Sequence, residues 1–207
     1  MDVVLYGATG KAGGEILKEL LHRGHTVTAV VRDPAKLAPQ AGLKVVKGDL
    51  NGPAGEIRKV SEGKAAIISS YGPPVDDTDQ LLPVVRRLVE AAGETRLIVV
   101  GGAASLEVAP GVTVLESGHL PEQWVAIATS HKKALDILKN SKVDWTYFSP
   151  AAFFEPGPRT GKFRLGKDQL IADEKGESRI SMADYAIALV DELEQGKHHR
   201  GRFTIGY

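Results

Sequence analysis

Gly7-Ala8-Thr9-Gly10-Lys11-Ala12-Gly13 has the residue types and spacing to cradle a pyrophosphate. It follows an apolar run, Val3-Val4-Leu5-Tyr6, and precedes an amphipathic stretch, the context in which a glycine motif binds a dinucleotide. Gly7 permits a sharp turn out of the strand. Gly10 lets backbone approach a phosphate with no Cβ in the way, and Gly13 allows close packing of the helix. Thr9, Lys11 and Ala12 complete the cradle, with the N–H groups at the helix start facing the phosphates. The spacing is G-x-x-G-x-x-G, and a tight turn without a ligand is the plain alternative. A triphosphate loop fits worse. Residues 157–162 are one residue too short for one, and Phe163 stands where a metal-binding hydroxyl is needed.

The residue ending the second strand meets the adenosine ribose, where arginine accepts a 2′-phosphate and an acid repels it. Arg32 stands there and favours NADP, while Asp33 beside it leaves NAD open. Asp49 and Leu50 are candidate adenine contacts, or simply a capped turn. Ser69, Ser70 and Tyr71, at the end of the fourth strand, should pass the middle of the cofactor. Gly101 and Gly102 end the fifth strand; Ser149, Pro150 and Ala151 end the sixth. Both are expected beside the nicotinamide. His131 and Ser105 are the candidate catalytic groups: His131 as a proton donor, since histidine titrates near neutral pH, or as a nicotinamide-ribose contact, and Ser105 as a hydrogen-bonding partner of substrate or carboxamide. A core histidine and a loop serine are the simpler readings. Residues 106–124 are long for a structureless connection and are expected to form a substrate lid, with His119 and Trp124 as its contacts and Phe153 lining the same cleft.

These residues need a scaffold. Apolar strand-like runs at 26–31, 43–46, 65–69, 97–100 and 145–148 alternate with helical stripes. One stripe is Ile16, Leu17, Leu20 and Leu21, stopped by Gly24. Others are Leu81, Val85, Leu88 and Ala92, and then Ile127, His131, Leu135 and Leu138. Strands apolar throughout are covered on both faces. The expectation is an α/β fold with a doubly wound parallel sheet, the Rossmann fold, in one domain over 1–207. Residues 151–207 form a smaller α+β extension on the substrate side. In it, 161–172 is expected to hold short strands or a hairpin, Ser181 opens the last helix, and 202–205 is a final strand. Arg159, Lys162, Arg164 and Lys167 read as a solvated basic strand face, or less simply as a contact for an acidic substrate or partner.

Composition narrows the class. The 207 residues carry 26 Lys and Arg against 26 Asp and Glu, so no overall field attracts nucleic acid or an anionic membrane. No cysteine is present, which excludes disulfides and thiolate chemistry. No metal site is expected, because no third ligand joins the His22/His25 or His198/His199 pairs. With no signal-like or membrane-spanning segment, the expectation is a cytoplasmic protein, with a homodimer or a protein partner left open.

Together, Gly7-Ala8-Thr9-Gly10-x-x-Gly13, Arg32, Gly48-Asp49-Leu50, Asp144-Trp145-Thr146 leading to Ser149-Pro150, and Arg179-Ile180-Ser181 through Asp184-Tyr185-Ala186 resemble the atypical short-chain dehydrogenase/reductases. The likeness is greatest to their NAD(P)H-binding group of NADH-flavin reductases, biliverdin/flavin reductases and NmrA-like redox sensors. One departure stands out. Ordinary members pass a proton through Tyr-x-x-x-Lys, and here Tyr6, Tyr71, Tyr147 and Tyr185 are followed four residues on by Gly10, Val75, Ala151 and Leu189. The resemblance therefore implies hydride transfer to a small planar conjugated acceptor, such as a flavin or quinone, that takes its proton from water. It leaves two alternatives: a non-catalytic dinucleotide sensor bound to a protein partner, and a sugar-nucleotide epimerase.

Overall fold

The computed structural model describes residues 1–207. Chain order is β1 (Asp2–Tyr6), α1 (Lys11–His22), β2 (Thr26–Val31), β3 (Leu43–Lys47), α2 (Ala54–Ser61), β4 (Ala66–Ser69), α3 (Leu81–Ala92) and β5 (Arg96–Val100). There follow β6 (Glu107–Ala109), β7 (Val112–Thr113), α4 (Glu122–Lys139), β8 (Trp145–Ser149), β9 (Phe153–Glu155), β10 (Arg164–Gly166), β11 (Arg179–Ser181), α5 (Met182–Gln195) and β12 (Gly201–Gly206). Eight strands form one sheet in the order β10-β12-β8-β5-β4-β1-β2-β3. Every pairing is parallel except β10 with β12. This is the expected doubly wound Rossmann architecture.

The pleat explains why β1 is apolar from Val3 to Tyr6. Val3 and Leu5 enter the core shared with α1 and α5, whereas Val4 and Tyr6 enter the core shared with α2, α3 and α4. On α1, Ile16, Leu17 and Leu20 are buried, each contributing about 1.5–3 kcal/mol relative to exposure. The helix yields at Arg23, and Gly24 follows at φ +75°. The chain runs from β1 outward through β2 to β3, then returns to place β4 on the other side of β1. A crevice opens at such a reversal, at the carboxyl ends of the strands.

The C-terminal portion joins the same body. Phe148 of β8 stacks on Tyr185 of α5 at 4.0 Å and on Phe203 of β12 at 3.9 Å. Tyr185 donates to the Phe148 carbonyl at 2.7 Å. Ser181 caps α5 by accepting from Asp184 N–H at 3.0 Å, as its sequence suggests. Asp184 does not complete a reciprocal box. Its carboxylate instead takes Thr160 N–H, Gly161 N–H and the Tyr207 hydroxyl, each at 2.8 Å. Burial alone would raise the Asp184 pKa, but these donors hold it below the usual range.

Several local expectations change. Of the short strands or hairpin expected in 161–172, one short strand forms, Arg164–Gly166, and it pairs with β12 and not within the segment. The stretch 106–124 carries structure of its own, since β6 and β7 pair and Trp124 lies in the first turn of α4. The basic residues do not share one face. Arg159 pairs with Glu19 at 2.9 Å, and Arg164 donates to the Tyr207 and Ala172 carbonyls. His25 is buried, with Nε2 2.9 Å from Glu194. No helix is long and apolar enough to cross a membrane.

Candidate functional site

The crevice above β1 and β4 is a cavity of about 240 Å³. Gly7, Thr9 and Gly10 form its floor, Arg32 and Asp49 its outer wall, and Ser70 and Tyr71 its far side. Gly7 has φ +83°, a conformation that favours glycine, and a Cβ there would lie 2.3 Å from the Ser70 carbonyl oxygen. Gly13 is tighter still, since an added Cβ would sit 2.0 Å from the Gly7 oxygen. The turn and the first turn of α1 are thus in backbone contact, which fixes the direction of the helix axis.

The start of α1 is open. Gly10 is its N-cap and offers no side-chain cap, and the first turn contains no acid. Its leading N–H groups, of Lys11, Ala12 and Gly13, have no carbonyl within the helix to bond. An uncapped, unneutralised helix start beside a glycine floor fits a pyrophosphate and not a cation.

At the outer wall, Arg32 is exposed and has no ion-pair or hydrogen-bond partner in the protein. Asp33 faces elsewhere: its carboxylate accepts from Ala35 N–H at 3.2 Å, capping the turn Pro34–Lys36. Asp49 is partly engaged too, accepting from Asn51 N–H at 2.9 Å while it lines the crevice. Leu50 is buried beneath it. Ser69 is buried within β4 and does not line the cavity. Asn51, Pro74 and Gln80 do line it, although the sequence singled out none of them. Gln80 had no visible signal, because a turn closing over the crevice from 74 to 80 carries no motif.

Farther along the strand ends, Gly101 and Gly102 leave β5. A Cβ on Gly101 would lie 2.3 Å from the Tyr147 ring, and one on Gly102 would lie 3.0 Å from the His131 ring. The two glycines therefore let an aromatic of β8 and a histidine of α4 pack directly against backbone. The Tyr147 hydroxyl accepts from Gly102 N–H at 3.0 Å and lies 3.1 Å from the His131 carbonyl and 3.2 Å from His131 Nδ1. A hydroxyl that donates to that carbonyl accepts from Nδ1–H, which selects the neutral Nδ1–H tautomer. Burial lowers the His131 pKa to about 4 and raises that of Tyr147 well above its ordinary value. Neither is charged at neutral pH, so His131 is no reservoir for an imidazolium proton.

The remaining candidates divide. Ser105 is held by Arg202, whose Nη1 donates to it at 3.1 Å. Ser149 is fully buried and its hydroxyl has no partner; Pro150 and Ala151 follow it, also buried. His119 is exposed in the loop before α4. Trp124 is 54% exposed at the start of α4, and Phe153 is 50% exposed with Arg179 stacked 4.6 Å above its ring. The structure thus gathers Gly7, Thr9, Gly10, Arg32, Asp49, Leu50, Ser70 and Tyr71 into one crevice, whereas Ser69, Gly101, Gly102, Ser149, Pro150, Ala151, Trp124 and Phe153 do not line it.

The NAD(P)H-binding family matches residues 7–193. The uncharacterized protein YwnB of Bacillus subtilis (strain 168) is 39% identical over 212 residues, spanning 99% of this chain and 98% of its own. A crystal structure of a "putative epimerase" from Bacteroides thetaiotaomicron is 44% identical with TM-score 0.92, over 100% of this chain and 96% of that one. A "putative NADH-flavin reductase" from Streptococcus pneumoniae TIGR4 is 33% identical with TM-score 0.89, over 100% and 99%. With the match running from the glycine turn to the last helix, the chain belongs to the NAD(P)H-binding family.

Proposed function

We propose that this protein is an NADPH-dependent reductase of a planar conjugated acceptor, of the flavin or quinone kind. One observation carries the choice of chemistry. Past the end of β5, the strand next to β4, lie two glycines packed against an uncharged histidine and a buried tyrosine whose hydroxyl meets only Gly102 N–H and His131. Such a site orients a ring and excludes water. It does not hold a proton ready for an alkoxide, which reduction of an isolated carbonyl requires.

The chain's own residues would divide the work. The open start of α1 and the glycine floor would hold the pyrophosphate. Arg32, free because Asp33 is committed to its cap, would take the 2′-phosphate, which favours NADPH over NADH. Gly102 and His131 would bound the nicotinamide end, and Trp124 and Phe153 would offer apolar faces to the acceptor. The bound dinucleotide supplies a hydride. A flavin or quinone reduced in this way takes its proton from solvent, so positioning supplies most of the catalysis.

The test is spectrophotometric. NADPH oxidation is followed with a panel of flavins, quinones, tetrapyrroles and sugar nucleotides. Turnover on a planar acceptor is expected. Tight NADPH binding with no turnover on any of them would replace this reading with that of a dinucleotide sensor, and turnover on sugar nucleotides alone with that of an epimerase.

A further inference from the structure

A second cavity, of about 340 Å³, lies at the opposite edge of the sheet. Lys139 ends α4, Trp145 begins β8, and Gly201 and Arg202 begin β12 just after Arg200. Lys167 and Asp168 follow β10, which runs antiparallel to β12, so they too reach the amino ends of β8 and β12. The nucleotide crevice is at the carboxyl ends, and the two cavities share no residue.

The lining is rich in donors and poor in acceptors. It holds four cations and one carboxylate. Asp168 is already taken by Arg202, through Nε at 2.9 Å and Nη2 at 2.5 Å. Lys139 and Lys167 have no partner, and Arg200 reaches only the Ser141 carbonyl, at 3.3 Å. The indole N–H of Trp145, a side chain 4% exposed, has no acceptor at all. Buried donors are normally paired, and this unpaired one belongs to a residue of the lining, alongside three cations with no carboxylate partner.

We propose that this cavity binds a small oxyanion, the phosphate or carboxylate group of a metabolite other than the dinucleotide. Lysine ammoniums and an arginine fork are the groups that hold such anions, and charge-assisted bonds from them are the strong ones. The site is a single recess on a chain of zero net charge, which suits a small ligand and not a polyanion. Arg202 spans from Asp168 in this cavity to Ser105 in the loop after β5. A ligand here therefore lies one side chain from that loop. The proposal stands independently of the reductase reading.

The chain has two tryptophans, Trp124 and Trp145, and hence two indole N–H resonances. These are followed in the full-length ¹⁵N-labelled protein, with Trp124→Phe to assign them. Inorganic phosphate and citrate are titrated separately against chloride at matched ionic strength. The Trp145 resonance should shift and saturate with phosphate, citrate or both, and not with chloride. The more effective anion identifies the group recognised. Saturating NADPH should leave the response in place. In Lys139→Ala/Lys167→Ala, and in Lys167→Glu alone, half-saturation should require about fivefold more anion or worse. Both lysines are exposed, and the native Trp145 resonance reports that each variant is folded. A drift shared with chloride, displacement by NADPH, or saturation unchanged in both lysine variants would overturn the proposal.

Discussion

Arg32 and Asp33 are adjacent residues of opposite charge, and the sequence alone left the cofactor choice between them. Geometry separates them: the acid caps a turn and the base stands free at the crevice wall. Arg32→Glu should weaken NADPH binding about ten- to hundredfold, the loss of one charge-assisted contact, and NADH binding about threefold or less. Fluorescence titration of the reduced cofactors measures both, and equal losses would remove the 2′-phosphate assignment. His131 makes a different prediction. Its pKa of about 4 when folded, against an ordinary 6.5, means that between those values the unfolded chain binds a proton and the folded chain does not. Stability should therefore rise with pH across that window and fall on acidification, by about 3 kcal/mol at most. In His131→Gln the slope of urea-unfolding free energy against pH should flatten there; an unchanged slope would mean other groups set it.

At the scale of elements, Gly13 and Gly14 are neighbours on α1 with opposite roles. A methyl group on Gly13 meets the Gly7 carbonyl at 2.0 Å, while one on Gly14 finds only the Ala8 oxygen at 3.7 Å. Gly13→Ala should cost about 1–3 kcal/mol through displacement of helix from turn. Gly14→Ala should be neutral or gain up to about 1 kcal/mol. Thermal melts of the pair read the contrast, and a Gly13→Ala melt matching wild type would show that the contact is slack. The same comparison shows what the sequence made legible. Periodicity placed β2 and α3 well, because buried strands and amphipathic helices write their environment locally. It missed α2, where only Ile57 and Ser61 are buried and no stripe forms. It also missed the buried Arg96–Glu192 pair, whose partners are joined only by the packing of β5 against α5. Among site residues, the glycines and Arg32 were legible from motif and strand end. The uncharged state of His131 was not, since it follows from Tyr147 and Gly102 closing round the ring.

For the whole molecule, the sheet has two margins, β10 and β3. The first is three residues long, and Arg164 within it is tied to the Tyr207 carbonyl. The second is five residues, Leu43–Lys47, pairing only with β2, and Lys44 and Lys47 on it are exposed. An unpaired strand is a template for another chain, and lysine on it is a common obstacle. Lys44→Val/Lys47→Val would leave an uninterrupted apolar run on that margin. Light scattering at rising protein concentration should then report growing particles, where the parent protein scatters constantly. Unaltered scattering would assign the protection to the twist of the strand instead. Those two ammonium groups touch neither cavity. On that expectation their part is to keep crowded neighbours from extending the ladder, so that the sheet stops at its own eight strands.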